Sequence, residues 1–133
     1  MKPITNDWLL SAESDLTIIK LIIHDELLTH QVAFHAQQAI EKALKAIIEE
    51  FELGFIKTHS IRTLVGTISP IIIINADHDL ILVLDQLYID ARYPGEIGLL
   101  PFGKPSIANA MKLQNLALDI FMQVQKFLSK QKK

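Results

Sequence analysis

The sequence predicts an all-α protein, an up-and-down antiparallel bundle of four or five helices. Three observations carry that expectation. Apolar residues recur at three- and four-residue spacing over long stretches, most cleanly from Val32 to Phe51 and from Leu113 to Leu128. Strict apolar/polar alternation, the mark of a half-buried strand, hardly occurs. Connectors between the periodic stretches are short, which favours antiparallel neighbours.

The first periodic stretch runs from about Asp7 to Leu28. Trp8, Ala12, Leu16, Ile19 and Ile23 share one face, and Thr5 or Asn6 is the expected cap. The second runs from about Thr29 to Leu53, with Val32, Ala36, Ala39, Ile40, Ala43, Leu44, Ile47, Ile48 and Phe51 as its stripe. Good helix formers fill its other positions, and Gly54 is a natural stop. A short third helix is expected from about Ser60 to Ile68, capped by Thr58 or Ser60, with Ile61, Leu64, Val65 and Ile68 facing one way. Ile71 to Ile74 favour a strand by propensity, but no partner strand exists, so a buried extended linker is expected. The fourth helix follows a cap at Asp77, carries Leu80, Val83, Leu84, Leu87, Tyr88 and Ala91, and ends near Arg92 or Tyr93. A Pro/Gly-rich loop spans Pro94 to Lys104, and Pro105 suits the first turn of a last helix bearing Leu113, Leu116, Ala117, Ile120, Phe121, Val124, Phe127 and Leu128.

All 133 residues are expected to form a single domain around one core. Half of them are apolar, and the mean hydropathy is +0.27, which is oily for a small protein. Apolar surface covered by a second copy, a homodimer, accounts for that surplus. The formal net charge of −2 excludes a generally basic, nucleic-acid-attracting surface but leaves local patches open. Lys126, Lys130, Lys132 and Lys133 form a basic end that reads as a solubilising tail. Absence of cysteine excludes disulfides, thiol nucleophiles and zinc–thiolate sites. No apolar run reaches the length of a membrane span, and the N-terminus lacks a signal layout, so a cytoplasmic location with no membrane contact is expected.

The most informative stretch is Tyr88 to Gly95. Arg92 is flanked by the chain's two tyrosines, Tyr88 and Tyr93. A rigid guanidinium beside two aromatic hydroxyls suits a phosphate or base contact. It equally suits a helix end, because arginine favours the last turn and Pro94 cannot continue it. Tyr88, on the apolar stripe, also reads as a core anchor. On the second helix His35, Gln38, Lys42 and Lys45 lie at i, i+3, i+7 and i+10, along one side, with Gln37 and Glu41 beside them. That side reads either as a solvated face with a Glu41–Lys45 pair or as a phosphate-contacting surface.

The five histidines show no metal-ligand spacing, so no metal site and no cofactor are expected. His59, just before a helix start, reads as a capping or packing residue or as a functional one. Gly98 to Lys104 matches a GxxxxGK pattern, but Pro105 stands where a phosphate-binding loop needs a hydroxyl, and a helix rather than a strand precedes it. Asp85 and Asp90 read as solvated or salt-bridged positions.

Four blocks occur together: Trp8-Leu9-Leu10-Ser11-Ala12-Glu13-Ser14-Asp15-Leu16, the run from Phe34-His35-Ala36-Gln37-Gln38 through Glu41-Lys42-Ala43-Leu44-Lys45-Ala46, Thr58-His59-Ser60-Ile61 with Leu64, and Tyr88-Ile89-Asp90-Ala91-Arg92-Tyr93-Pro94. In this order they resemble the HEPN domain family of small helical nucleotide-binding domains. The resemblance implies a four- or five-helix up-and-down bundle, a homodimer, a bacterial or archaeal setting, and a minimal nucleotidyltransferase partner in a toxin–antitoxin-like pair. Some members are ribonuclease toxins whose motif is Arg, four to six residues, then His. Here Arg92 is followed by Tyr93-Pro94-Gly95-Glu96-Ile97-Gly98-Leu99, without a histidine, and Arg62 has none at that distance. The expectation is therefore a nucleotide- or RNA-binding module using Arg92, Tyr93, Tyr88, His35, Gln38, Lys42 and Lys45. The alternatives are a metal-independent ribonuclease using Arg92 with His59, and a non-catalytic helical scaffold.

Overall fold

The computed structural model describes residues 1–92 and 104–131, with the side chains of residues 90–92 outside the description. Among the described residues five α-helices form: α1 Pro3–Ile22, α2 Thr29–Glu50, α3 Ile61–Ile68, α4 His78–Arg92 and α5 Ile107–Lys130. A single 3-10 turn, Glu26–Leu28, joins α1 to α2, and no strand occurs among the described residues.

Helix α2 is the centre of the bundle. Ala33, Ala36, Ala39, Ala43 and Ala46 are buried on several of its sides, alongside Val32, Ile40, Leu44, Ile47 and Ile48. Small alanines let neighbouring backbones approach closely, while the branched residues fill the space between. α1 runs antiparallel to it. Lys2 meets Glu50, Trp8 meets Lys45, and Asp15 meets Lys42 and His35. α5 lies with its C-terminal end at the C-terminal end of α2, where Phe51 and Phe127 pack with ring centroids 5.9 Å apart. α4 is antiparallel to α5: its first turns share a groove with Asn115, Leu116 and Asp119, and Leu87 shares one with Ser106 and Asn109. These directions are those of the expected up-and-down bundle.

Helix ends differ from expectation in instructive ways. α1 starts at Pro3 rather than near Asp7, and Thr5 is not a cap. Proline in the first turn sacrifices no hydrogen bond. Thr5 is fully buried, and its hydroxyl donates to Glu50 Oε1 at 2.9 Å, beside the Lys2 backbone N–H at the same distance. The Lys2 backbone hydrogen bond, the largest influence, holds the Glu50 carboxyl below its ordinary range; burial opposes it, and Thr5, the N-terminal charge and the Lys2 charge assist it. Helix α1 also stops at Ile22 instead of Leu28, because the Asp25 carboxylate caps the 3-10 turn by accepting from Leu27 N at 2.9 Å. Helix α5 starts after Pro105, with Ser106 Oγ accepting from Asn109 N. Ser60 caps α3 and Asp77 caps α4, both as expected. Beyond α2, Gly54 adopts a φ of +103°, open to glycine and strained for other residues.

The isoleucine linker is only partly buried. Ile74 is packed, whereas Ile73 is 75% exposed. One α5 side chain holds it: Gln123 donates to Asn75 O at 2.7 Å and accepts from Asn75 N at 2.9 Å. Both polar groups of that residue's main chain are thus satisfied without a sheet. Among the described side chains of α4, Ile81 and Leu84 are buried, and Val83, expected in the stripe, is half exposed.

Candidate functional site

Gln37, Glu41 and Lys45 follow one another at four-residue intervals, so they form a line on α2. The connection between α2 and α3 folds back over that line and lays His59 on it. Glu41 is buried, at 6% exposure. Its Oε2 accepts from Lys45 Nζ at 2.6 Å, and its Oε1 accepts from Gln37 Nε2 at 2.9 Å. His59 Nδ1 lies 3.0 Å from Oε1 and 3.2 Å from Oε2. Gln37 also donates to the His59 carbonyl at 2.9 Å and accepts from Gln38 Nε2 at 2.7 Å. A carboxylate accepts only, so the proton in the His59–Glu41 contact sits on Nδ1, and Nε2 keeps the remaining coordination site.

Burial acts to raise the Glu41 pKa. Hydrogen bonds from Lys45, Gln37 and His59, with the Lys45 charge, outweigh it and hold the carboxyl below the ordinary range. Glu41 is therefore an ionised anchor that fixes a lysine and a histidine on either side of it. Sequence reasoning noted only its pairing with Lys45, because a helix-face pattern does not show which segment will cover that face.

A second buried carboxylate organises the other half of the α2 line. Asp15, on α1, contacts His35 Nδ1 at 2.8 Å and Lys42 Nζ at 2.7 Å. Each of Lys42 and Lys45 thus faces a carboxylate, and Lys45 Nζ also lies 5.7 Å from the centre of the Trp8 ring. Aromatic rings connect the two halves. Phe34 meets His35 edge-on at 5.2 Å and stacks on Tyr88 at 6.5 Å, and Tyr88 lies 5.2 Å from the His59 ring.

The structure brings His59, Tyr88, Gln38 and Lys45 into one assembly and places His35 and Lys42 beside it. Arg92 is the last residue of α4, one turn beyond Tyr88. Its side chain, like Tyr93 and the loop to Gly103 with its GxxxxGK-like stretch, lies outside the described residues. Asp85, expected as a solvated or salt-bridged position, is partly exposed and caps a helix. It accepts from Ile61 N at 2.7 Å, Arg62 N at 3.1 Å and Ser60 Oγ at 3.2 Å. This carboxylate at the positive end of α3 ties α4 to the residue following His59.

No group of three or more acidic or histidine side chains suited to a metal occurs among the described residues. None of their helices is long and apolar enough to cross a membrane. A family model for the HEPN domain matches residues 5–126. The chain belongs to the HEPN family. No curated protein and no solved structure gives a significant match. The HEPN match encloses every residue of the assembly, from Trp8 and Asp15 on α1 to the end of α4.

Proposed function

We propose that this HEPN protein binds a nucleotide or RNA, and that it works as a homodimer beside a minimal nucleotidyltransferase in a prokaryotic toxin–antitoxin-like pair. The observation that carries the reading is the meeting of His59 and Tyr88 at the end of α4, one turn from Arg92. Such a corner combines an arginine position, which supplies donors for a phosphate, with aromatic surface for stacking and an imidazole Nε2 that accepts while the proton sits on Nδ1. Gln38, Lys42, Lys45 and His35 flank it on α2. Their charges are balanced by Asp15 and Glu41, which favours a small, shaped ligand over long stretches of backbone phosphate.

Calorimetric titration with ATP, GTP and a short single-stranded RNA tests this. The expected result is saturable heat with at least one of them, weakened about tenfold or more in Arg92→Ala, in line with the loss of a charge-assisted hydrogen bond. No heat with any ligand would overturn it. The same titrations in EDTA address the ribonuclease reading. That reading is favoured by the Glu41–His59 contact, which fixes the imidazole as a carboxylate does for a general base. RNA recovered intact supports binding alone, and cleavage lost in His59→Ala makes the protein an enzyme.

A further inference from the structure

The connection that carries His59 also closes a small cleft against α1 and α2. Trp8, Lys45, Phe55, Lys57, Thr58 and His59 supply most of its chemistry. Its volume is about 190 Å³. That is well under the roughly 300–1,000 Å³ of pockets that enclose drug-sized ligands, so it suits one ring system. Phe55 is 87% exposed at this cleft, the most exposed of the large apolar side chains among the described residues. Covering an exposed phenylalanine removes apolar surface from water, so a flat ring seated beside Phe55 and Trp8 gains contact there. The Trp8 indole N–H is buried without an acceptor among the described residues.

Charge selects the kind of ring. Lysine ion pairs among the described residues are those of Lys2, Lys42 and Lys45. Lys57, on the cleft wall, has no such partner, and it adjoins the Thr58 hydroxyl in sequence. The cleft thus combines aromatic walls with the Lys57 ammonium and the Glu49 carboxylate, neither of which has an ion-pair partner among the described residues. His59 belongs both to this cleft and to the contact with Tyr88, so it borders the cleft and the α4 corner alike.

Resting on the nucleotide-binding reading above, we propose that this cleft is the base subsite: it takes the base of a nucleoside monophosphate unit between Trp8 and Phe55, with the phosphate on Lys57. Glu41 acts as a positioning residue, since it holds both Lys45 and His59 in the cleft wall.

Trp8 is the chain's single tryptophan, so its fluorescence reports on the cleft directly. The titration uses AMP, GMP, CMP and UMP with their nucleosides, in wild type, Phe55→Ala and Lys57→Ala, with calorimetry in parallel. Phe55 is exposed, so its replacement leaves the fold intact, which circular dichroism checks. Expected is a saturable Trp8 change with at least one monophosphate. Phe55→Ala should weaken it roughly tenfold, the usual scale of a lost base–aromatic stack. Lys57→Ala should weaken the monophosphate several-fold and leave the nucleoside unchanged. Heat of nucleotide binding with a silent Trp8 and an unaffected Phe55→Ala would overturn the cleft assignment while nucleotide binding stands. A Lys57→Ala variant that binds the monophosphate normally would overturn the phosphate placement. No binding by either method would remove both this proposal and the reading beneath it.

Discussion

Replacing Glu41 with alanine will destabilise the protein by about 2–4 kcal/mol, the range for removing one partner of a buried charged network. In a domain of this size that is a fall of roughly 10 °C in Tm. The reason is what remains. Lys45, Gln37 and the His59 ring would each lose an acceptor; water reaches the first two poorly, since the Lys45 side chain is only 20% exposed and Gln37 is fully buried, whereas His59 is partly solvated. Glu41→Gln retains the shape and one acceptor, and is expected to cost less.

Wild type and Glu41→Gln also separate in their response to pH. Glu41 titrates below its ordinary value in the folded state, so it binds protons more readily when unfolded. Its contribution is complete above the unfolded pKa of about 4.3 and is lost as pH falls through the lower, folded value. Thermal melts between pH 7 and pH 3 should show the wild type losing stability across that acidic range and Glu41→Gln losing less. Glu50 is shifted in the same direction, so part of the acid loss will persist. Wild type and Glu41→Gln falling in parallel would contradict the role given to the carboxylate.

Asp85→Ala is expected to cost about 2 kcal/mol and to loosen α3 selectively. An eight-residue helix is too short to be stable alone, so its first turn depends on what satisfies its free N–H groups. Ser60 covers one, and Asp85 covers two more while also receiving the Ser60 hydroxyl. Hydrogen exchange should show the amides of Ile61 and Arg62 losing protection well before those of α2. Asp85→Asn, which keeps an acceptor without the charge, should fall between. Ligand affinity should decline with the same order, because His59 is held only two residues from the Asp85 contact to Ile61. Unchanged protection of α3 in Asp85→Ala would show that packing of Ile61, Leu64 and Ile68 suffices.

Much of the architecture was legible because periodicity and burial are the same physical fact. Every residue of the α2 stripe but Phe51 is buried, and the α5 stripe is buried except for Phe127. Caps at Ser60 and Asp77 follow from side chains that bond their own helices three residues on, which is local chemistry. The start of α1 was not legible for the opposite reason. Lys2 and Thr5 are fixed by Glu50, 45 or more positions away in the chain.

The site divides along the same line. Spacing along α2 correctly placed His35, Gln38, Lys42 and Lys45 on one side of the helix. It did not reveal that Asp15 and Glu41 would compensate their charges, since Asp15 arrives from another helix and Glu41 is buried by a loop. Gln37 at i and Lys45 at i+8, on either side of Glu41, was the available signal: three groups able to bond one another in a row rarely serve only solvation. His59 was identified from its position before a helix, yet its partner Tyr88 lies on α4 and needed the fold. Trp8 and Phe55 carried no sequence signal of a cleft, because an exposed aromatic and a core aromatic look alike until packing separates them.

The central claim is that a nucleotide is held against the Glu41-braced His59, which borders both the Trp8–Phe55 cleft and the Tyr88 corner. Its most direct test is the imidazole nitrogen spectrum of the protein with AMP or a short RNA added, with the His59 signals assigned from His59→Asn. The expected result is a shift at His59 Nε2 that saturates with binding, while His24 and His78, distant from the assembly, stay in place. Calorimetric binding that leaves the His59 signals unmoved would contradict it.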